Sequence, residues 1–276
     1  MVRVIDLTIN TDLARKILTG FIHTEITRAG FSRAVVGVSG GLDSSLSCYL
    51  AAEALGPENV LAVRMPYKSS SADSLAHAQK VIDILGVQSL TVPITEMVDP
   101  LFERFPDADP VRRGNAMARA RMIVLYDQSE AFDALVVGTG NKTEILLGYT
   151  TIYGDAANAL NPVGDLYKTQ ARQLARALGI PEEIIQKAPT ADLWVGQTDE
   201  GELGFTYEEV DRLLYLLVDH RYSPADCVEA GFPEPFVQAV VKMIRRNHFK
   251  RILPPIAKVS NRTVGYDFLY LRDWGT

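Results

Sequence analysis

Residues 33–44 constrain the chain more than any other stretch. Arg33-Ala-Val-Val-Gly-Val38 is a short β-branched run that passes directly into Ser39-Gly-Gly-Leu-Asp-Ser44. Apolar residues then recur at helical spacing through Leu46, Leu50 and Leu55 to Gly56. An apolar run without polar alternation suits a strand buried on both faces of a sheet. Two adjacent glycines let the backbone take up positive φ and approach other groups closely. Strand, glycine turn and helix thus form one unit, and a helix of that length is the crossover that parallel strands require.

The rhythm repeats along the chain. Residues from about Asp12 to Ala29 have helical spacing, with Gly30 as the stop. Val60–Met65 reads as a strand, Ser71–Leu85 as a helix ending at Gly86, and Ser89–Pro93 as a third strand. Gly114–Ser129 reads as a helix and Ala134–Gly138 as a strand that stops at another glycine-rich turn. After about Val163 the β signal fades, and Gln170–Leu178, Tyr207–Asp219 and Pro235–Asn247 carry helical spacing. The pattern predicts an α/β fold: a doubly wound, mostly parallel sheet with helices on both faces and a helical C-terminal section. The expected organisation is one domain over residues 1–276. It comprises an N-terminal helix in 1–32, an α/β core in 33–165, a helical section in 166–251 and an irregular tail in 252–276.

Composition excludes several classes of function. The 28 Lys and Arg against 34 Asp and Glu leave a net charge of −6, so no global basic field for nucleic acid exists. The one concentrated basic stretch, Lys242–Arg251, reads equally as a solvated helix end where cations suit the dipole. No apolar run approaches the ~18–20 residues of a membrane span, and no basic segment with an apolar stretch opens the chain. Cys48 and Cys227 make neither a disulfide framework nor a thiolate zinc site. A cytoplasmic enzyme or binding protein is expected.

The loop at 37–44 carries the chemistry. Its backbone N–H groups, the hydroxyls of Ser39 and Ser44 and the following helix N-terminus form an anion cradle. No lysine follows the glycines, so this is not the Walker A pattern. Asp43 inside such a cradle repels phosphate unless a divalent cation bridges them, which points to magnesium-bound polyphosphate. The alternative is a tight turn capped by Asp43. Glu144 follows a strand end, where open α/β sheets bind ligands, and it is equally a helix-start residue favoured by the dipole.

In this order, Gly37-Val-Ser-Gly-Gly-Leu-Asp-Ser44 resembles the pyrophosphate-binding loop of the N-type ATP pyrophosphatases, whose signature is SGGxDS. Five later segments resemble the successive signatures of NAD synthetases in their short, ammonia-using form. They are Gly114–Met122, Gly138-Thr-Gly-Asn-Lys-Thr-Glu144, Tyr153-Gly-Asp155, Pro189-Thr-Ala-Asp-Leu193 and Gln197–Gly204. The resemblance runs from about Gly37 to Arg251. Leu253-Pro-Pro-Ile256 and Arg262-Thr-Val-Gly265 resemble the archaeal-like branch.

The resemblance implies an adenine nucleotide alpha hydrolase-like fold and a ligase that forms a carbon–nitrogen bond. It implies ATP-dependent amidation of nicotinic acid adenine dinucleotide (deamido-NAD) to NAD through an acyl adenylate, with no covalent enzyme nucleophile. ATP is expected at Gly37, Val38, Ser39, Gly40, Gly41, Leu42, Asp43, Ser44, Thr139, Lys168 and Thr190, and magnesium at Asp43 and Glu144. Deamido-NAD is expected at Arg119 and Lys250. Taken alone, Arg113, Arg119 and Arg121 on one helix are a solvated or salt-bridged face. Free ammonia is the expected nitrogen donor, with a separate glutaminase as a further partner to test. The family's relatives imply a homodimer.

Three positions depart from the family. Ile152 stands where a lysine is usual, Ala159 where an acid is usual, and Phe249-Lys250 where a His-Lys pair is usual. All three are associated with the dinucleotide, whereas the ATP and metal positions are kept. Either the nicotinate half of the site is rebuilt or the core serves another acid. The competing functions are a sibling SGGxDS enzyme adenylating a different carboxylate or tRNA, and a non-catalytic ATP-binding paralogue.

Overall fold

The structure, a computed structural model, describes residues 5–190 and 198–268. Four parallel strands, β1 (Ala34–Gly37), β2 (Val60–Arg64), β3 (Gln88–Thr91) and β4 (Leu135–Val137), form one sheet in the order β3-β2-β1-β4. Ala34 is in register with Val60 on one side and Leu135 on the other. Helices α1 (Thr11–Arg28), α2 (Leu42–Leu55), α3 (Ala72–Leu85), α4 (Thr95–Arg104) and α5 (Pro110–Phe132) wrap this sheet. Beyond β4 come α6 (Lys142–Leu147), α7 (Lys168–Ala177), α8 (Glu182–Gln186), α9 (Asp199–Leu203), α10 (Tyr207–Leu214), α11 (Pro224–Glu229) and α12 (Glu234–Arg246).

Alternation along the strands divides the core between two faces. Ala34 and Val36 of β1 pack with Ile22 and Ile26 of α1, Leu46 and Leu50 of α2, Val81 of α3 and Leu174 of α7. Val35 of β1 and Val63 of β2 point the other way, onto Val98 and Phe102 of α4 and Met117 and Val124 of α5. Each fully buried aliphatic or aromatic side chain contributes roughly 1.5–3 kcal/mol. The crossovers after β1 and β2 lie on the first face, and the one leading to β4 lies on the second. The chain therefore switches sides between β1 and β4, and the loops leaving their carboxyl ends bound a crevice where such sheets take ligands. A third apolar cluster joins Leu147 and Tyr167 to Val210, Leu213, Leu214, Val237 and Val240, and it contains no strand residue.

The doubly wound parallel sheet with helices on both faces matches the reading of the sequence. The differences are local. Helix α4 went unforeseen because Pro100 lies within it, and proline removes a helical donor and argues for a break. Helix α5 starts at Pro110 rather than Gly114, with Asp109 as its cap accepting from the Arg112 amide at 2.8 Å. The segment read as a helix over Tyr207–Asp219 is α10 followed by a π-turn at Tyr215–Asp219. No helix among the described residues is long and apolar enough to cross a membrane.

Candidate active site

The loop leaving β1 is shaped by two glycines with different duties. Gly40 has φ +78°, and a Cβ there would lie 2.0 Å from the carbonyl oxygen of Ser74, so the loop rests directly on the backbone of α3. Gly41 caps α2 from extended backbone, and its carbonyl accepts from the Ser45 hydroxyl at 2.7 Å. The Ser39 amide donates to Ser44 Oγ at 3.2 Å, and the two serine hydroxyls lie 3.0 Å apart. Ser47 Oγ donates to the Gly138 carbonyl at 2.9 Å and ties the first loop to the one that follows β4.

That second loop enters α6 through Asn141-Lys-Thr-Glu144, and each side chain of this run meets a different partner. Asn141 caps the helix by accepting from the Glu144 amide at 3.0 Å, and its Nδ2 donates to Asp43 at 3.4 Å. Lys142 turns away and pairs with Asp219 at 2.8 Å and Asp165 at 3.1 Å. Thr143 donates to Asp211 at 2.6 Å. Glu144 completes a capping box with the Asn141 amide at 3.2 Å and lies 3.6 Å from Lys168 Nζ. Glu144 is thus the helix-start residue and a site carboxylate at once.

Lys168, in the first turn of α7, is buried and bonds the Asp43 carboxylate directly. Its ammonium also stands 5.1 Å from the ring centroid of Tyr207. Burial works against its charge, but Asp43 and Glu144 outweigh that and raise its pKa. Burial pushes Glu144 up to about 8, with Asp43 adding to the shift and Lys168 opposing it. A second acidic group borders this one. Asp199 is buried and accepts from Tyr207 at 3.2 Å and Tyr149 at 3.3 Å, and Tyr149 also donates to Glu202 at 2.7 Å. Burial and the surrounding carboxylates raise both tyrosines.

Of these groups Asp43, Glu144, Tyr149, Lys168, Asp199 and Glu202 line a cleft of about 490 Å³ between the carboxyl ends of β1 and β4 and the helical section. Every residue expected at ATP reaches its wall except Gly40, which is spent on the contact with α3. Glu144 and Lys250 also line it. Lys250 donates to the carbonyls of Gly148 and Thr150, each at 2.7 Å; burial lowers its pKa, and Asp155 opposes the shift. Arg119 is not brought to the wall. Its Nε donates to the Ile152 carbonyl at 3.3 Å, while Arg121, two residues on and about 200° around the helix, lines the cleft. Ile152, Ala159 and Phe249 are likewise absent from the wall, although Thr151, Asp155 and Lys250 beside them are on it. Residues 191–197, which include parts of two sequence signatures, lie outside the described residues.

Sequence reasoning missed Asn141 and Thr143 as separate contributors, although both sit in the Gly138–Glu144 signature. It also missed Asp199, which opens α9, and Tyr207 and Asp211, which on the amphipathic α10 read as ordinary apolar and polar faces.

The NAD synthase family profile matches residues 14–254. The NH(3)-dependent NAD(+) synthetase of Trichlorobacter lovleyi is 58% identical over 269 residues, covering 98% of each chain. Among solved structures, the NH3-dependent NAD synthetase of Campylobacter jejuni is 31% identical with a TM-score of 0.78, over 91% of this chain and 100% of that one. The NMN synthetase of Francisella tularensis is 28% identical with a TM-score of 0.81, over 91% and 99%. With the family profile spanning residues 14–254 and a relative 58% identical over 98% of the chain, the chain belongs to the NAD synthase family.

Proposed function

We propose that this protein amidates deamido-NAD to NAD, consuming ATP and ammonia and releasing AMP and pyrophosphate. The observation that carries this reading is the meeting of Asp43, Glu144 and Lys168, from three separate segments, beside a hydroxyl-rich glycine loop in one cleft.

The chemistry follows from what a carboxylate lacks. Direct attack by ammonia would require oxide to leave. A substrate carboxylate oxygen instead attacks the α-phosphorus of ATP, the bridging P–O bond to the β-phosphate breaks, and pyrophosphate departs. Ammonia then attacks the acyl carbon, the C–O bond to AMP breaks, and nitrogen sheds a proton. The protein's part is placement and charge. Ser39, Ser44 and the amides of the glycine loop hold the departing phosphates at the N-terminus of α2. Lys168 stands beside them as a fixed cation, while Thr139 and Thr190 supply further hydroxyls on the cleft wall.

Magnesium fits this site. No three His, Cys, Asp or Glu side chains among the described residues gather into a cage, and two carboxylates alone suit an ion that takes its remaining ligands from water and phosphate. Asp43 and Glu144 would hold it, and when bound it offsets charge on the phosphates and on the leaving pyrophosphate.

Lys250 and Arg119 are assigned to the dinucleotide, Lys250 from the cleft wall and Arg119 through the carbonyl of Ile152, which it fixes. The reading includes a homodimer acting in the cytoplasm, with free ammonia as donor. Sedimentation tests the first, and comparing ammonium with glutamine tests the last. Pyrophosphate release from Mg·ATP with ammonium, with and without deamido-NAD, tests the whole. NAD formed only with the dinucleotide supports it. Because the Francisella structure is named for NMN, nicotinic acid mononucleotide belongs in the same panel. Asp43→Asn is expected to abolish release while leaving the fold intact, and unchanged turnover would overturn the metal assignment.

A further inference from the structure

Glu144 and Lys168, 3.6 Å apart on the cleft wall, are held from behind by a junction that the cleft itself does not contain. The Lys168 amide donates to Thr143 Oγ at 3.1 Å. The Thr143 hydroxyl in turn donates to Asp211 Oδ1 at 2.6 Å, and the neighbouring Thr169 amide donates to Asp211 Oδ2 at 2.8 Å. Thr143 and Asp211 are fully buried, and neither lines the cleft.

The first amides of any helix have no partner within it. Here α7 finds its partners outside, one on α6 and one on α10, so the two helix starts are welded through a single carboxylate. Asp211 accepts from both, using both oxygens, and it is the shared member of the junction. Rotation of α7 about its axis would swing Lys168 away from Asp43 and Glu144, and it would have to break both bonds to do so. Eight residues further on, Asp219 binds the flanking side chains, Lys142 at 2.8 Å and the Tyr167 hydroxyl at 2.5 Å. In a regular helix of 3.6 residues per turn, eight residues overshoot two turns by roughly 80°. The π-turn at Tyr215–Asp219 widens the winding and brings Asp219 back to the face that Asp211 occupies.

We propose that Asp211 is a positioning residue for the ATP half of the reaction, setting the Lys168–Glu144 geometry through Thr143 and the Thr169 amide. This rests on the reading of the cleft given above. A group acting only at the ATP side alters the use of ATP and leaves the dinucleotide alone, whereas general loosening of the fold lowers the active fraction for both.

The test compares Asp211→Asn, Thr143→Val and Thr143→Ser with the wild type. Ser223→Ala, which removes the cap of α11 remote from the cleft, serves as a stability control. A displacement of about 1 Å at a reacting centre can cost on the order of 100-fold, so Asp211→Asn and Thr143→Val are expected to lower kcat/KM for ATP by at least about 10-fold. The KM for deamido-NAD should stay within about threefold, and Thr143→Ser, which keeps the hydroxyl, should stay near wild type. The double variant should fall no further than the worse single one, because both act on one junction. An unchanged kcat/KM for ATP in Asp211→Asn overturns the proposal. So does a Thr143→Ser variant as poor as Thr143→Val, or a loss that Ser223→Ala reproduces at equal melting temperature. If the wild type itself ignores deamido-NAD, the functional reading fails. Calorimetric affinity for Mg·ATP across the same variants then decides the junction's role independently, weakening about 10-fold in Asp211→Asn and Thr143→Val if it holds.

Discussion

Asn141 donates its side-chain N–H to the carboxylate of Asp43 at 3.4 Å, joining residues 98 positions apart in the sequence. The same side chain caps α6 through its oxygen, so one amide serves helix and cleft from opposite ends. Shortening it separates the two duties. Serine at this position keeps a capping oxygen but cannot reach Asp43. Asn141→Ser is therefore expected to reduce pyrophosphate release by about 10-fold, the weight of roughly one charge-assisted hydrogen bond. Asn141→Ala additionally loses the cap, about 1 kcal/mol, visible as a lower melting temperature than that of the serine variant.

The adjacent glycines of the loop should respond in opposite ways. At Gly40 a methyl group meets the Ser74 carbonyl at 2.0 Å and the backbone is left-handed, so neither side can yield. Gly40→Ala is expected to destabilise the fold by more than about 2 kcal/mol. At Gly41 the nearest atom is Ser39 Oγ at 3.4 Å and φ is −92°, so Gly41→Ala should fold with a nearly unchanged melting temperature. Parallel thermal unfolding of the two variants checks the contrast.

Glu144 predicts a pH dependence whose sign can be worked out. Its folded pKa, about 8, lies above the ordinary 4.5 because burial disfavours the charged form. A raised pKa contributes stability that is fully present below the unfolded value and lost as pH climbs through the folded one. Without divalent cations, Glu144→Gln should match the wild type near pH 4.5 and become progressively the more stable protein toward pH 8 and above. Denaturant unfolding across that range measures the difference, and a gap that narrows with rising pH would refute the assignment.

The cysteines should be inert until the fold opens. Both are buried, and burial pushes the Cys48 thiol up to about 12 and raises Cys227 as well. The thiolate is the reactive form, so alkylation at pH 8 should leave both untouched in the native protein and modify both in denaturant. Mass spectrometry of the native sample reads this directly, and the rate of labelling then reports opening of the sheet's first face around Cys48.

Much of the fold was legible because its signals are local. The β-branched run at 34–37, the glycine pair and the spacing of Leu46 and Leu50 each speak through neighbours in sequence, and β1, its loop and α2 lie where they were expected. Helix α4 was lost to Pro100, although Val98 and Phe102, four apart and both buried, carry the helical spacing. In the site, Asp43 and Glu144 were readable from chemistry at strand ends, whereas Lys168 was expected only through the resemblance. A lysine in a polar helix turn gives no hint that it is buried, since only the fold brings Asp43 to it. Asp211 gave no sign at all. Its neighbours Glu208 and Glu209 are exposed acids of the same helix, and nothing local separates the one that caps α7 from those that face water. Arg119, expected at the dinucleotide through the resemblance, stands off the cleft wall and donates to the Ile152 carbonyl.

The register of the central strand also fixes an order of events during synthesis. Ala34 meets Val60 on one edge, within reach of a chain that has only begun to emerge, but meets Leu135 on the other. Three strands and their helices can assemble while the fourth is still being made, and during that interval β1 remains an open edge exposed to wrong pairing. The crevice does not exist until β4 docks, so no nucleotide can steady the early half. Until then the nascent sheet depends on the apolar contacts it makes with α1, α2 and α3 on one face and with α4 and α5 on the other.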